Sequence, residues 1–295
     1  MLKAGIYGQF YHENSSVFIQ QLFEILTEHK VSVYVEEQFY KLIIENKNID
    51  TNRFSFKTFE FLDASFDLFF CIGGDGTILK SITYIKDLDI PLAGINTGRL
   101  GFLASIQKEE IQLCIPKILL GDYRISERSL LSIDVSPTHT DLNTFNFALN
   151  EISVIRKNTT SMIRVETYLN NEYLTSYWSD GLIISTPTGS TGYSLSCGGP
   201  VVEPSSNSII LTPIAPHNLN ARPVVVPDST EIKLKVSGRE NNYLVSLDSR
   251  IAGIDNESVI TIKKSPFKIK MIQLHEDSFI KTLRKKLLWG EDKRN

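Results

Sequence analysis

The sequence predicts an α/β N-terminal domain built on a parallel sheet, then a mainly antiparallel β domain, giving an α+β chain overall. Three observations carry this expectation. Up to Asp122, apolar strand-like runs alternate with segments of helical spacing, as in strands joined by crossover helices. Beyond Tyr123, apolar residues alternate with period two between short polar turns. Two glycine-rich turns follow apolar runs in the first half, where sheets of this type place their ligands. The expected organisation is residues 1–122 as the α/β domain, 123–275 as a β-rich domain, and 276–295 as a helix and tail packing back. A chain of 295 residues accommodates one large or two medium domains with buried cores.

Leu2 to Tyr7 is a short apolar strand. Val17, Ile19, Leu22, Phe23, Ile25 and Leu26 recur at helical spacing, and Val31 to Val35 is the second strand. Leu68 to Ile72 and Pro91 to Ile95 are continuous apolar runs, the pattern of strands covered on both faces. Glu109 to Leu120 reads as a helix stopped by Gly121. Ile163, Val165, Thr167 and Leu169 then share one strand face before an Asn170-Asn171 turn. Ile232, Leu234 and Val236 repeat the pattern before Ser237-Gly238, and Val259 to Ile262 and Phe267 to Met271 add two further strands. Phe279, Ile280, Leu283, Leu287 and Leu288 mark a terminal helix, docking on the first domain or on a neighbouring chain. Arg284-Lys285-Lys286 reads as its solvated face.

Composition narrows the function. The net charge of −3 supplies no basic field for nucleic acid. Three scattered cysteines, Cys71, Cys114 and Cys197, give neither a zinc spacing nor a disulfide framework and fit a reducing compartment. Met1 to Ile6 reads as a strand with no secretion signal, and no apolar window reaches the ~18 residues of a membrane span. The expectation is a cytoplasmic protein without nucleic-acid or membrane partners.

The chemistry concentrates at Cys71-Ile72-Gly73-Gly74-Asp75-Gly76-Thr77, where a strand drives into a tight turn and a helix begins at Ile78. Glycines let backbone approach a ligand, and a helix start offers free N–H groups to phosphate. Asp75 is the single carboxylate there, placed to take a proton or hold a cation. The spacing is neither that of a Walker A loop nor Gly-x-Gly-x-x-Gly. Phosphoryl transfer to a hydroxyl is the reaction suggested; the plain alternative is a turn whose aspartate caps the helix. The second turn, Gly94 to Gly101, is expected to line the same crevice.

Within the β half, Ser179-Asp180-Gly181 leads through an apolar strand into Thr186 to Pro200, a segment dense in hydroxyls and glycines suited to sugar and phosphate oxygens. Asn150-Glu151 is out of character inside a strand pattern; a ligand-facing pair and an exposed-face pair fit its spacing equally. His217, in the proline-braced loop Pro213 to Pro223, reads as a structural or contact residue ahead of a catalytic base. Asp248-Ser249-Arg250 ends a strand and is placed to face the same pocket. No cluster has metal-cage spacing, so a metal is expected only with a nucleotide's phosphates.

Together these pieces resemble the NAD kinase family. The resemblance rests on Gly73-Gly74-Asp75-Gly76-Thr77, Asn96-Thr97-Gly98-Arg99-Leu100-Gly101-Phe102-Leu103, Asn150-Glu151, Ser179-Asp180-Gly181 with Thr186 to Pro200, Pro216-His217 and Arg222-Pro223. It implies phosphorylation of NAD on the 2′-hydroxyl of its adenosine ribose to give NADP. ATP, or polyphosphate in some members, is the implied donor, with a divalent cation such as Mg²⁺ carried on it. A homo-oligomer, dimer or tetramer, is implied as well. By position, Asp75 is the implied catalytic carboxylate, with Gly74, Gly76 and Thr77 beside the ligand and Lys80 a basic position one helical turn on. Asn150, Glu151, Asp180, Thr188, Thr191, Gly192, Tyr193, Ser194, Leu195 and Ser196 are the implied nucleotide contacts, with Ala215 and Arg250 lining the site. Gly192 stands where alanine is frequent, Trp178 where a basic residue is frequent, and Asp248-Ser249-Arg250 replaces an Asp-Gly-Gln-like run. Two rivals remain: a lipid kinase of the diacylglycerol kinase type, which needs an apolar acceptor groove, and a non-catalytic dinucleotide sensor, which has no need of Asp75.

Overall fold

The computed structural model describes residues 1–9, 15–46, 48–98, 101–139, 142, 145–157 and 161–289. Arg99 and Leu100 of the second glycine turn, and the last six residues of the expected tail, lie outside these. The chain divides into two units, Met1–Glu127 with Ile269–Asn295, and Arg128–Lys268.

The first unit contains β1 (Lys3–Gly8), α1 (Ser15–Glu28), β2 (Ser32–Glu36), α2 (Glu37–Glu45), β3 (Lys57–Phe59), β4 (Leu68–Ile72), α3 (Asp75–Ile85), β5 (Leu92–Asn96), β6 (Ile106–Gln107) and α4 (Ile111–Leu119). These strands pair in parallel in the order β3-β2-β1-β4-β5, with β6 beside the end of β5. β4 and β5 are buried throughout, because helices cover both sheet faces. The strand order reverses between β1 and β4, and in doubly wound sheets ligands bind at such a reversal, outside the strand carboxyl ends. The Gly73–Gly76 turn follows β4 at that end. The core gathers Ile19, Leu22, Phe23 and Leu26 of α1, Phe70 and Ile72 of β4, and Cys114, Ile115 and Ile118 of α4. Gly121, at φ +79°, follows the end of α4.

α2 was not expected from the sequence. It follows β2 without a loop, is capped by Glu36 accepting the Phe39 N–H, and buries only Phe39 and Ile43. So short an apolar stripe is a weak periodic signal.

The second unit is a pair of antiparallel sheets. The chain enters it in β7 (Arg124–Ser136) and continues through β8 (Phe147–Ala148), β9 (Glu151–Ile155), β10 (Ile163–Leu169), β11 (Glu172–Ser179), β12 (Gly181–Ser185), β13 (Ser208–Ile214), β14 (Val224–Pro227), β15 (Ile232–Ser237), β16 (Asn242–Leu247), β17 (Arg250–Asp255) and β18 (Val259–Gln273). One sheet runs β14-β13-β12-β9-β16-β17; the other includes β11-β10-β15-β18, with β7 on β18 and β8 on β7. Inward-facing residues of both sheets, among them Val154, Leu182, Leu211, Val245, Val165, Leu234 and Ile262, form one core. The Asn170-Asn171 turn takes φ +50° and +67°, the conformation that favours asparagine between β10 and β11.

One expectation is corrected here. Val259 to Ile262 and Phe267 to Met271 are one strand, β18, because Lys263 to Pro266 between them stay extended. Lys264 in that stretch pairs with Asp228, and the Lys263 carbonyl accepts the Ser132 hydroxyl. The hydroxyl-rich segment, for which the sequence predicted no conformation, is wound: a 3₁₀ turn at Thr188–Thr191 leads into one helical turn at Tyr193–Ser196.

The terminal helix α5 (Phe279–Leu287) belongs to the first unit and begins at Ser278, whose hydroxyl caps the Lys281 N–H. Leu283 is its buried residue, and Lys286 Nζ lies 5.7 Å from the centre of the Phe102 ring. Among the described residues, no helix is long and apolar enough to cross a membrane.

Candidate active site

In the first unit, β4 is followed by Gly73, which adopts φ +153°; a Cβ there would lie 2.4 Å from Thr77 Oγ1. Gly74 is the N-cap of α3 and Asp75 its first residue. The Asp75 carboxylate does not cap its own helix. It accepts the N–H of Phe102 on Oδ2 at 2.8 Å and the N–H of Leu103 on Oδ1 at 3.1 Å. Gly101 passes so close that a Cβ on it would sit 1.8 Å from Oδ1. The two glycine-bearing turns thus meet at this carboxylate, a contact beyond the shared crevice that the sequence suggested. The contacts hold Asp75 in one orientation while using two of its roughly four acceptor positions. Among the described residues, and beyond the adjoining backbone, no atom lies within 4 Å of where a Cβ on Gly74 or Gly76 would stand. Gly76 and Lys80 are exposed, whereas Thr77 is buried with its hydroxyl unpartnered.

In the second unit, the strand start at Asn150-Glu151 is held by Asp248. The Asp248 side chain is 1% exposed and its backbone takes φ +53° in the two-residue turn between β16 and β17. Its Oδ1 accepts the N–H groups of Asn150 at 2.9 Å and Glu151 at 3.2 Å, and its Oδ2 accepts that of Leu149 at 3.0 Å. The Asp248 N–H returns a bond to the Glu151 carbonyl at 3.0 Å. Burial raises the Asp248 carboxyl, and the three N–H bonds and Arg250 oppose that rise. Glu151 is pushed up to about 8, chiefly by burial and further by the negative Asp248, against a lowering contribution from the Tyr193 N–H. Among the described residues, the buried Glu151 Oε2 and Asn150 Oδ1 have no partner. Both residues converge on Gly192, whose Cβ would lie 3.1 Å from Glu151 Oε2 and 3.4 Å from Asn150 Nδ2.

The hydroxyl segment is tied to this strand start. Thr186 donates its hydroxyl to the Leu149 carbonyl at 2.6 Å and accepts the Gly189 N–H at 3.0 Å; its own N–H reaches the Asn150 carbonyl at 2.9 Å. A Cβ on Gly189 would come within 2.0 Å of that carbonyl oxygen. The Thr188 hydroxyl is 3.5 Å from Arg128 Nη1, and the Thr191 hydroxyl donates to the Thr188 carbonyl at 3.2 Å. Ser194 is buried and bonded to the Thr212 hydroxyl at 2.8 Å, so its side chain faces the interior. Tyr193 and Ser196 are exposed and Leu195 is half-buried. Asp180 is gripped by Arg156 through both oxygens, at 2.9 and 3.3 Å. Ala215 is exposed, at φ +43°. Arg250 donates to the carbonyls of Phe145, at 3.0 Å, and Phe147, and lies over the Phe147 ring. His217 is exposed, and its N–H bonds the Trp178 carbonyl at 2.8 Å.

Gly101, Thr186 and Gly189 lie in segments that the sequence marked, but their individual roles and the clamping role of Asp248 were not legible there, because each acts on a partner distant in sequence.

The ATP-NAD kinase N-terminal domain model matches residues 5–123, and the C-terminal domain model matches residues 149–274. The chain belongs to the NAD kinase family. It is 61% identical over 294 residues to the NAD kinase of Christiangramia forsetii and 56% identical over 294 residues to that of Flavobacterium psychrophilum, covering 100% of both chains in each case. Such NAD kinase relatives make this chain a kinase enzyme. A solved NAD kinase from Archaeoglobus fulgidus in complex with ATP matches with a TM-score of 0.74 at 26% identity, covering 97% of this chain and 99% of that one. A yeast NADH kinase complexed with NADH matches with a TM-score of 0.87 at 23% identity, over 99% of this chain and 89% of that one, and shares its fold.

Proposed function

We propose that the protein transfers the terminal phosphate of ATP to the 2′-hydroxyl of the adenosine ribose of NAD, giving NADP, with Asp75 as the base. The observation that carries this reading is the clamped Asp75 carboxylate at the start of α3, between two glycines whose open sides none of the described residues fills. Neither packing nor backbone conformation requires glycine at position 74, where φ is −86°. Close approach of a ligand gives that residue a reason.

A ribose hydroxyl is a weak nucleophile whose proton must leave as the new bond to phosphorus forms. In a loose transition state the proton departs late, so positioning and charge neutralisation carry most of the acceleration. Asp75 orients the hydroxyl and takes the proton. Lys80 and the N–H groups at the start of α3 face the phosphate charge. The divalent cation belongs to the substrate and arrives on the phosphates of ATP. Asn150, Glu151 and the Thr188 to Ser196 segment hold the dinucleotide by hydrogen bonds, the chemistry of a polar acceptor.

The deciding experiment incubates the pure protein with NAD, ATP and Mg²⁺ and assays NADP. NAD carrying 2′-deoxyadenosine retains nearly every binding group but lacks the nucleophile, so it should compete with NAD and never turn over. Phosphate transfer to that analogue, or to diacylglycerol in preference to NAD, would overturn the reading.

A further inference from the structure

Asp248 is a buried carboxylate that accepts three consecutive backbone N–H groups, those of Leu149, Asn150 and Glu151. It does so from a left-handed backbone position, at φ +53°, that non-glycine residues rarely occupy. Such a position persists only where the surroundings hold it. What Asp248 orients is equally unusual. Asn150 Oδ1 and Glu151 Oε2 are both buried and, among the described residues, both without a partner, and the two residues converge on the backbone of Gly192. Buried polar atoms cost free energy unless they are bonded, so two together point to a ligand that completes them.

We propose that Asp248 is a positioning residue for the dinucleotide: its three N–H bonds fix the Asn150-Glu151 backbone so that Asn150 Oδ1, as acceptor, and Glu151 Oε2, as donor, meet one ligand. The proposal rests on the reading of Asn150 and Glu151 as nucleotide contacts. Glu151 is a donor because it holds its proton up to about pH 8. The groups facing it are few. Asp248 comes from the β16–β17 turn, with Arg250 at 3.8 Å from the Asp248 carboxylate. Tyr193 offers its N–H from the helical turn. Ser185, opposite Glu151 in the register of β9 and β12, is neutral. Asp180 influences the Tyr193 phenol and is itself paired with Arg156. Asp248 thus adds its negative charge to the effect of burial in keeping the Glu151 proton in place, and it also fixes the Glu151 backbone.

The test measures KM for NAD and kcat from about pH 6 to about pH 9 for the wild type, Asp248→Asn, Glu151→Gln and the double variant. In the wild type, KM should rise as Glu151 loses its proton. Asp248→Asn should raise KM about tenfold or more, the scale of a lost bond to a charged group, with kcat little changed. It should also move the rise in KM to lower pH, since the nearest negative charge is gone. Glu151→Gln keeps a donor that does not titrate and should flatten the profile, and the double variant should keep the higher KM without the pH step. A wild-type KM and pH profile in Asp248→Asn would overturn the proposal. So would equal losses in kcat and kcat/KM with the profile unmoved. Should Asp248→Asn fail to fold, carboxyl NMR on the wild type decides instead. The Glu151 signal, identified by its absence in Glu151→Gln, is expected to titrate near 8, and titration in the ordinary carboxylate range would overturn the proposal. A wild type that binds NAD calorimetrically yet makes no NADP would overturn the kinase reading and leave Asp248 to be judged by binding alone.

Discussion

Asp75 is constrained by its neighbours as much as by its chemistry. Both of its oxygens accept backbone N–H groups, so Asp75→Asn sets an amide NH₂ against one N–H donor while it removes the base. Two losses follow, and they separate by measurement. The kcat for NADP formation should fall ~10²–10⁴-fold, the scale of general-base catalysis. Stability should fall by about 1–3 kcal/mol for the donor left unpaired. Gly101→Ala tests the same carboxylate without altering it. Its Cβ needs the space that Oδ1 fills, at 1.8 Å, so the carboxylate must swing away and kcat should fall with NAD affinity retained. A Gly101→Ala enzyme with parental kcat would show that the orientation of Asp75 is immaterial. Glu151 makes a separate prediction about pH. Its carboxyl is raised from 4.5 to about 8 in the folded protein. Below the unfolded value both states hold the proton; between the two values only the folded state does, so stability declines as pH rises through that window and levels off above it. Glu151→Gln removes the titration. Melting curves should show the variant gaining on the wild type steadily across that range, and a gap independent of pH would contradict the assignment.

At the scale of elements, the β4–α3 connection turns on Gly73. Its φ of +153° and the 2.4 Å approach of Thr77 Oγ1 leave no room for a side chain. Gly73→Ala should cost about 1–3 kcal/mol through backbone strain. It should also disturb the start of α3 and lower kcat, whereas Gly76→Ala, with open space at its Cβ, should leave the melting temperature unchanged. If Gly76→Ala nevertheless weakens ATP binding, the glycine serves the ligand and not the fold. The same connection shows what was legible in the sequence. Leu68 to Ile72 read as a strand, and the observed β4 has those bounds, because a continuous apolar run between polar flanks has one favourable burial. The winding of Thr188–Thr191 was not legible, since threonine, serine and glycine have weak local preferences and the turn is tied down by Asn150 and Thr186 from outside the segment.

Over the whole molecule, the chain's last described helix returns to the unit where the chain began. Leu283 of α5 is buried, and Arg124 Nη2 donates to the carbonyls of Leu274, His275 and Asp277 that lead into the helix. Lys286 reaches the ring of Phe102, whose N–H clamps Asp75. Removing residues 276–295 should therefore lower thermal stability and reduce kcat more than it changes KM for NAD. Steady-state kinetics on the truncated protein check this, and a change in KM alone would place the helix in substrate binding instead. The units part at Glu127 and Lys268, whereas the composition shift suggested residues 122 and 275; β7 and β18 are long strands that run through both boundaries without a turn to mark them.

The sequence by itself determined the elements whose burial is written in their own residues: the doubly covered strands β4 and β5, the amphipathic α1, the period-two strands β10 and β15, and the glycine turn that carries Asp75. It also marked Asn150 and Glu151 as misplaced in a strand, since a carboxylate among apolar neighbours is conspicuous in one dimension. Only the tertiary structure decided what holds these groups. The N–H donors of Asp75 lie 27 and 28 residues away, and Asp248 acts on Leu149, Asn150 and Glu151 from 97 to 99 residues away. Backbone N–H groups are identical at every non-proline position, so no residue pattern announces which of them a distant carboxylate will meet. That choice is made when the strands are laid side by side.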